Sequence, residues 1–318
     1  LPNFSVHLID LGYVYLKSLP HRDQLAKDTE KQVNLITERF VNMTMSLEWM
    51  SMTSRRKLRS KATAVLHNIG WPTELFGDFS DSSVIDAYHE EDYGPIIEAF
   101  NKNQYDFYTI KHILQAAFVN REAIRLLTQK ADRKDFLMSP AMVNAWYQPD
   151  RNSLTVPAAL WNSPFYNQDY PKAYNFAGLG TIAGHELVHG FDDEGVQYDK
   201  SGELLCKDWN QCGWMDRRSK KGFRDMAQCV VTQYSTQCCP VKEGYVHCAN
   251  GATTQGENIA DIGGVQATYQ AYLEYMKKRE EPEKSCPAWS NTLQISYSGC
   301  FTRTIGVRTM EHSILAPS

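Results

Sequence analysis

His185, Glu186 and His189 stand in the run Gly184-His185-Glu186-Leu187-Val188-His189, and this spacing limits the chain more than any other feature. Two histidines four residues apart on a helix lie on one face, one above the other, so their imidazoles can bind a single metal ion. Glu186 then lies beside the open coordination position, where a carboxylate can accept a proton from water. The apolar spacing around the motif predicts a helix over residues 179–191 to carry it.

A second pair of functional groups has the same spacing. In Gly256-Glu257-Asn258-Ile259-Ala260-Asp261-Ile262-Gly263-Gly264 the two carboxylates are again four apart and share a helix face. A catalytic zinc takes three protein ligands and a water, and two histidines with one glutamate are a standard set, so Glu257 is the natural third ligand. Asp261, one turn on, is placed to accept the free N–H of a ligand histidine and hold its tautomer. Gly263 and Gly264 are poor residues for an ordinary helix interior but permit a second helix to approach closely. Alone, this acidic pair also suits an ordinary helix first turn; the upstream H-E-x-x-H decides for ligation.

Four blocks in one order then resemble the neprilysin and endothelin-converting-enzyme family, the M13 zinc metallopeptidases. They are Val143-Asn144-Ala145-Trp146-Tyr147, Val156-Pro157-Ala158, the His185 block continued through Gly190-Phe191-Asp192-Asp193, and the Glu257 block. Weaker similarity spans residues 56–311, including Ile69-Gly70-Trp71-Pro72 and Gln228-Cys229-Val230-Val231-Thr232-Gln233-Tyr234. The resemblance implies a mainly α fold with a thermolysin-like zincin core and a small β segment. Residues 1–135 would form a helical part of an ectodomain, and 136–318 a catalytic domain incomplete at its C-terminus. It implies one Zn2+ per chain on His185, His189 and Glu257. The catalytic carboxylates would be Glu186 and Asp261: Glu186 is the general base, and Asp261 supports a ligand histidine, as Asp192 would. Asn144 and Ala145 resemble the pair that holds a substrate peptide in extended form through a side-chain amide and a backbone carbonyl, a form of strand addition. The activity implied is endopeptidase cleavage of oligopeptides on the amino side of apolar residues, with Phe165 and Ile182 as walls of the pocket for that side chain.

The chain departs from the family near its end. Active members continue past the region resembling Arg308-Thr309-Met310-Glu311 with a block that holds a histidine and an arginine, and with a closing C-x-x-W. His312 comes too early and lacks that setting. The expectation is therefore an internal or C-terminal piece of an ectodomain, either catalytically competent or an impaired relative kept for binding. Such relatives are mostly type II membrane proteins or secreted forms, so membrane attachment would come only through an anchor outside this chain.

A net charge of −4 with no basic stripe interleaved with aromatics gives no electrostatic case for nucleic acid. The most basic run, Arg55-Arg56-Lys57-Leu58-Arg59-Ser60-Lys61, reads as a solvated helix face. The eight cysteines all lie in the C-terminal third, in stretches that favour disulfides and an oxidising compartment. The resemblance further implies that Cys229 and Cys300 lack their partners here. The sequons Asn3-Phe4-Ser5 and Asn42-Met43-Thr44 are compatible with secretion. No apolar run reaches the roughly 18 residues that span a bilayer.

Periodicity predicts helix over residues 22–68 and 93–131. In the second, Ile96, Ile97, Phe100, Phe107, Ile110, Ile113, Leu114 and Phe118 mark a buried stripe. Residues 141–156 read as short extended runs with turns at Pro149-Asp150 and Asn152, the one β segment. Helix is predicted again at 214–232 and 257–278, and the rest of 206–252 reads as Cys-rich surface loop.

Overall fold

Both long stretches that periodicity joins into helices are broken in the computed structural model, which describes residues 6–102, 105–205, 213–240 and 246–278. After α1 (Val6–Ser18), residues 22–68 form α2 (Arg22–Met45), α3 (Met52–Ala62) and the start of strand β1 (Leu66–Gly70). Ser51 starts α3 as an N-cap, its side chain accepting from the Ser54 N–H. Residues 66–68 are strand because Leu66 donates its N–H to the Asn152 carbonyl at 3.0 Å, a partner 86 positions away that no local pattern reveals.

The second stretch divides into α5 (Ser83–Asn101) and α6 (Phe107–Thr128), preceded by the short α4 (Thr73–Phe76). Asp106 caps α6, accepting from Thr109 N–H at 2.7 Å. The break resets the helical register, and the expected stripe does not stay together. Ile96 and Leu114 are buried, whereas Ile97, Phe100, Phe107 and Ile113 are exposed; the side chain of Phe118 lies outside what is described.

The remaining elements are β2 (Trp146–Gln148), β3 (Ser153–Pro157), α7 (Lys172–Asn175), a π-helical turn (Phe176–Gly180), α8 (Thr181–His189), α9 (Arg217–Ser235), β4 (Cys238–Pro240), β5 (Val246–Cys248) and α10 (Gln255–Lys278). The first sheet has the order β1-β3-β2. Its tight turn is set by Asn152, whose φ of 44° lies in the left-handed region that asparagine tolerates. The fold is thus mainly helical, with more strand than the single segment expected.

Two units can be distinguished. The first comprises residues 1–26, 68–144 and 155–159. Its centre is an aromatic cluster in which Tyr13 stacks on Phe79 at 5.2 Å and meets the edge of Phe76 at 5.5 Å, with Trp71 against Phe79. The second comprises residues 27–67, 145–154 and 160–318, and is built around fully buried Ile36, Leu154, Leu160, Leu179, Leu187 and Tyr272. Here β4 and β5 form an exposed antiparallel ribbon closed by the disulfide Cys238–Cys248. Cys229 and Cys239 are exposed free thiols, while Cys206, Cys212, Cys286 and Cys300 lie outside the described residues.

Two contacts shape the second unit. The first is the crossing of α8 on α10. A methyl group added at Gly264 would lie 2.5 Å from the backbone nitrogen of His185, and one at Gly184 2.7 Å from the Gly264 carbonyl oxygen. Backbone cannot give way as a side-chain tip can, so only glycine fits. The second is Asp216, the N-cap of α9, which accepts from Ser219 N–H (2.9 Å), from the Ser54 hydroxyl (2.8 Å) and from the Ser51 hydroxyl. One carboxylate therefore ties the starts of α3 and α9, and these hydrogen bonds, that of Ser51 foremost, hold it well below the usual carboxylate range.

Gly264→Ala is expected to destabilise the protein by about 1–3 kcal/mol, the usual cost of overpacking; chemical denaturation that shows no loss would mean the helices can separate freely. Asp216→Ala removes a cap and takes the carboxylate acceptor from three hydroxyls, those of Ser51, Ser54 and Ser219, for an expected loss of about 1–2 kcal/mol. Because the folded pKa is depressed, the contribution is present above the ordinary aspartate pKa and fades as pH falls. A wild-type and Asp216→Ala difference that is constant from neutral pH into the acid range would contradict this.

Candidate metal centre

The site is assembled on α8 and α10 inside the second unit. The π-helical turn ahead of α8 is held by Leu179 N–H donating to the Phe165 carbonyl at 2.9 Å, and by Thr268 of α10 donating its hydroxyl to the Gly180 carbonyl at 3.0 Å. These bonds fix both the rotation of α8 and its distance from α10. His185 and His189 then project from the same side of α8, their rings 4.5 Å apart and nearly perpendicular.

Each imidazole is oriented by its own carboxylate. His185 Nδ1 lies 2.8 Å from Asp261 Oδ1, and His189 Nδ1 lies 2.7 Å from Asp192 Oδ2. An ionised carboxylate can only accept, so both Nδ1 atoms carry a proton, and in the neutral rings both Nε2 atoms present lone pairs. Those two Nε2 atoms are 2.9 Å apart, and Glu257 Oε2 lies 3.3 Å from the first and 3.7 Å from the second. Two lone pairs and a carboxylate oxygen facing one another repel unless a cation lies among them. The three donor atoms fall within 4.8 Å of one another, so His185, His189 and Glu257 suit a single borderline-soft divalent ion, two nitrogens and one oxygen being a common donor set for such a metal. Burial opposes protonation of His185 and His189, but the hydrogen bonds to Asp261 and Asp192 and the charge of Glu186 outweigh it, and both pKa values are raised.

Glu186 lies outside this trio of donors and is 8% exposed. Burial raises its pKa, the nearby His185 and His189 work against this, and the N–H of Tyr147 on β2 hydrogen-bonds its carboxylate. The anchoring role of the Tyr147 backbone carries no sequence signal, since any residue supplies an N–H.

Beyond α8 the chain turns sharply. Asp192, 5% exposed, accepts through Oδ1 from Glu194 N–H (2.9 Å) and Gly195 N–H (2.7 Å), which leaves Oδ2 for His189. Lys61, expected in solvent as part of a basic helix face, is instead buried beneath this turn. Arg56, Lys57 and Arg59 of the same run are exposed. Position 61 falls on the inner side of α3 with Leu58 and Ala62, so the helical spacing of those apolar residues was the available signal.

Of the pocket candidates, Ile182 is half-buried one turn before His185 on α8, while Phe165 is half-buried and engaged through its backbone with the π-helical turn. Ala145 is buried at the head of β2. Asn144 is exposed and is the last residue of its segment of the first unit.

Residues 144–301 match the profile of peptidase family M13. Endothelin-converting enzyme 1 from Homo sapiens is 33% identical over 304 residues, covering 95% of this chain and 36% of that protein. Among solved structures, the Haemonchus galactose containing glycoprotein complex shares 43% identity with a TM-score of 0.76, covering 96% of this chain and 44% of that one. The Mycobacterium tuberculosis zinc metalloprotease Zmp1, solved in complex with an inhibitor, has a TM-score of 0.66 at 24% identity over 87% of this chain and 38% of that one, a likeness of fold. The chain spans a little over a third of the length of the curated relatives it matches. By these matches, and by the two motifs that meet across α8 and α10, the chain belongs to peptidase family M13.

Proposed function

We propose that the chain carries the catalytic centre of a zinc-dependent endopeptidase acting on oligopeptides, with one zinc held by His185, His189 and Glu257. The observation that supports this most is the convergence of two Nε2 lone pairs and the Glu257 carboxylate, each histidine being fixed from behind by its own aspartate. Zinc in such a site polarises a carbonyl and lowers the pKa of a coordinated water. The chain's own residues supply the rest. Glu186, with its proton affinity raised by burial, takes a proton from the attacking water and delivers it to the leaving amine. Asp261 and Asp192 keep the two imidazoles in the ligating tautomer. Asn144 and Ala145 bind the substrate backbone as an added strand, and Phe165 and Ile182 receive the apolar side chain on the carboxyl side of the cut. In this reading 136–318 supply the chemistry and 1–135 a helical support. The protein works as a cell-surface or secreted ectodomain. No helix among the described residues is long and apolar enough to cross a membrane.

Glu257→Ala in the full-length protein is expected to weaken zinc binding sharply, read by metal content after dialysis; stoichiometric zinc at unchanged affinity would dismiss Glu257 as a ligand. Glu186→Gln should keep the zinc and lower turnover of a short apolar peptide by about 10²–10⁴, the usual worth of a general base. Retained turnover would assign the base elsewhere. Removal of the metal with a chelator should abolish hydrolysis, and added zinc should restore it.

A further inference from the structure

Lys61 is 2% exposed, and its side-chain nitrogen is within reach of three backbone carbonyls. Its Nζ donates to Gly190 O (2.7 Å), Gly195 O (2.6 Å) and Tyr198 O (2.8 Å). An ammonium has three N–H bonds in a tetrahedral fan, and these three oxygens take all of them. The same nitrogen lies 5.3 Å from the centre of the Phe191 ring; burial draws its pKa down to about 7, against the charges of Asp192 and Asp199, which favour the ammonium.

All three carbonyls belong to the turn that leaves α8, and this turn carries Asp192. Gly195 is gripped from both sides: its N–H binds Asp192 Oδ1 and its carbonyl binds Lys61. A side chain at Gly195 would collide with the His189 carbonyl, so the turn folds directly back onto the end of the helix. Lys61 also reaches the other side of the site through its own carbonyl, which accepts from Asn152 Nδ2 at 3.3 Å; Asn152 Oδ1 in turn accepts from the Tyr147 hydroxyl at 2.7 Å.

We infer that Lys61 is a positioning residue for the metal centre: its ammonium closes the 190–198 turn, and the closed turn holds Asp192 on His189. The inference rests on His185, His189 and Glu257 being the metal ligands. A side chain at 61 that cannot donate would take a hydrogen bond from all three carbonyls, leaving Gly195 O with only the Tyr198 N–H. The turn would then open and Asp192 would leave Nδ1. Groups that hold a ligand histidine typically account for 10–100-fold in metal affinity. Arginine retains the charge but has a planar fork that cannot meet three oxygens arranged around a point.

The test measures zinc dissociation constants of the full-length protein by competition with a chromogenic chelator, at a temperature where circular dichroism shows every variant folded. Lys61→Met should weaken zinc by about 10–100-fold and Lys61→Arg by a smaller factor. Lys61→Met combined with Asp192→Asn should be no weaker than Asp192→Asn alone, because both act through one bond. The Co2+-substituted Lys61→Met protein should show a shifted visible spectrum. Asp216→Ala, which destabilises the same unit elsewhere, should lower the melting temperature and leave zinc affinity unchanged. Should Lys61→Met fail to fold, Lys61→Arg decides. Wild-type zinc affinity in the folded Lys61 variants, with zinc lost in Glu257→Ala, overturns the clamp alone. Wild-type affinity in Glu257→Ala overturns the metal assignment beneath it.

Discussion

The approach of α8 to α10 at Gly184 and Gly264 is the constraint on which the site depends. His185 and His189 belong to one helix and Glu257 and Asp261 to the other, so the geometry of these four side chains is set by how near two backbones come and by their relative rotation. A single methyl group at Gly264 would strike the His185 nitrogen. The Thr268 hydroxyl on the Gly180 carbonyl fixes the rotation. Close packing of this kind is stiff, since interiors at crystal-like density have no slack to absorb a displaced turn. That stiffness suits a centre whose donor atoms must converge on one point.

Around this crossing, charge is distributed so that each group has a single task. Asp261 comes from α10 and Asp192 from the turn after α8, so the two histidines are oriented from independent directions. Glu186 shares their helix, but burial and the Tyr147 N–H set it apart from the Glu257 carboxylate, which is 67% exposed. Lys61 meets three carbonyls of the turn that carries Asp192.

Outside the centre the second unit is tied by polar junctions as much as by apolar packing. Asp216 joins two helix starts that are far apart in sequence, and Trp161 donates to Thr29 across 132 positions at 2.8 Å. Such long-range bonds explain why the fragments of this unit, interleaved along the chain, close into one body.

The sequence by itself determined which chemical groups share a helix face. Spacings of four placed His185 with His189 and Glu257 with Asp261 on common helix faces, and Gly263-Gly264 announced a close neighbour, because the helical period is fixed by backbone geometry alone. What tertiary structure decided were facts of distant partners. Strand β1 exists because Leu66 meets Asn152; the stripe of α5 and α6 divides because a capped break at Asp106 shifts the register; Lys61 is inside because three carbonyls converge on it. Spacing tells which side chains share a face, but only the packed chain tells what that face meets.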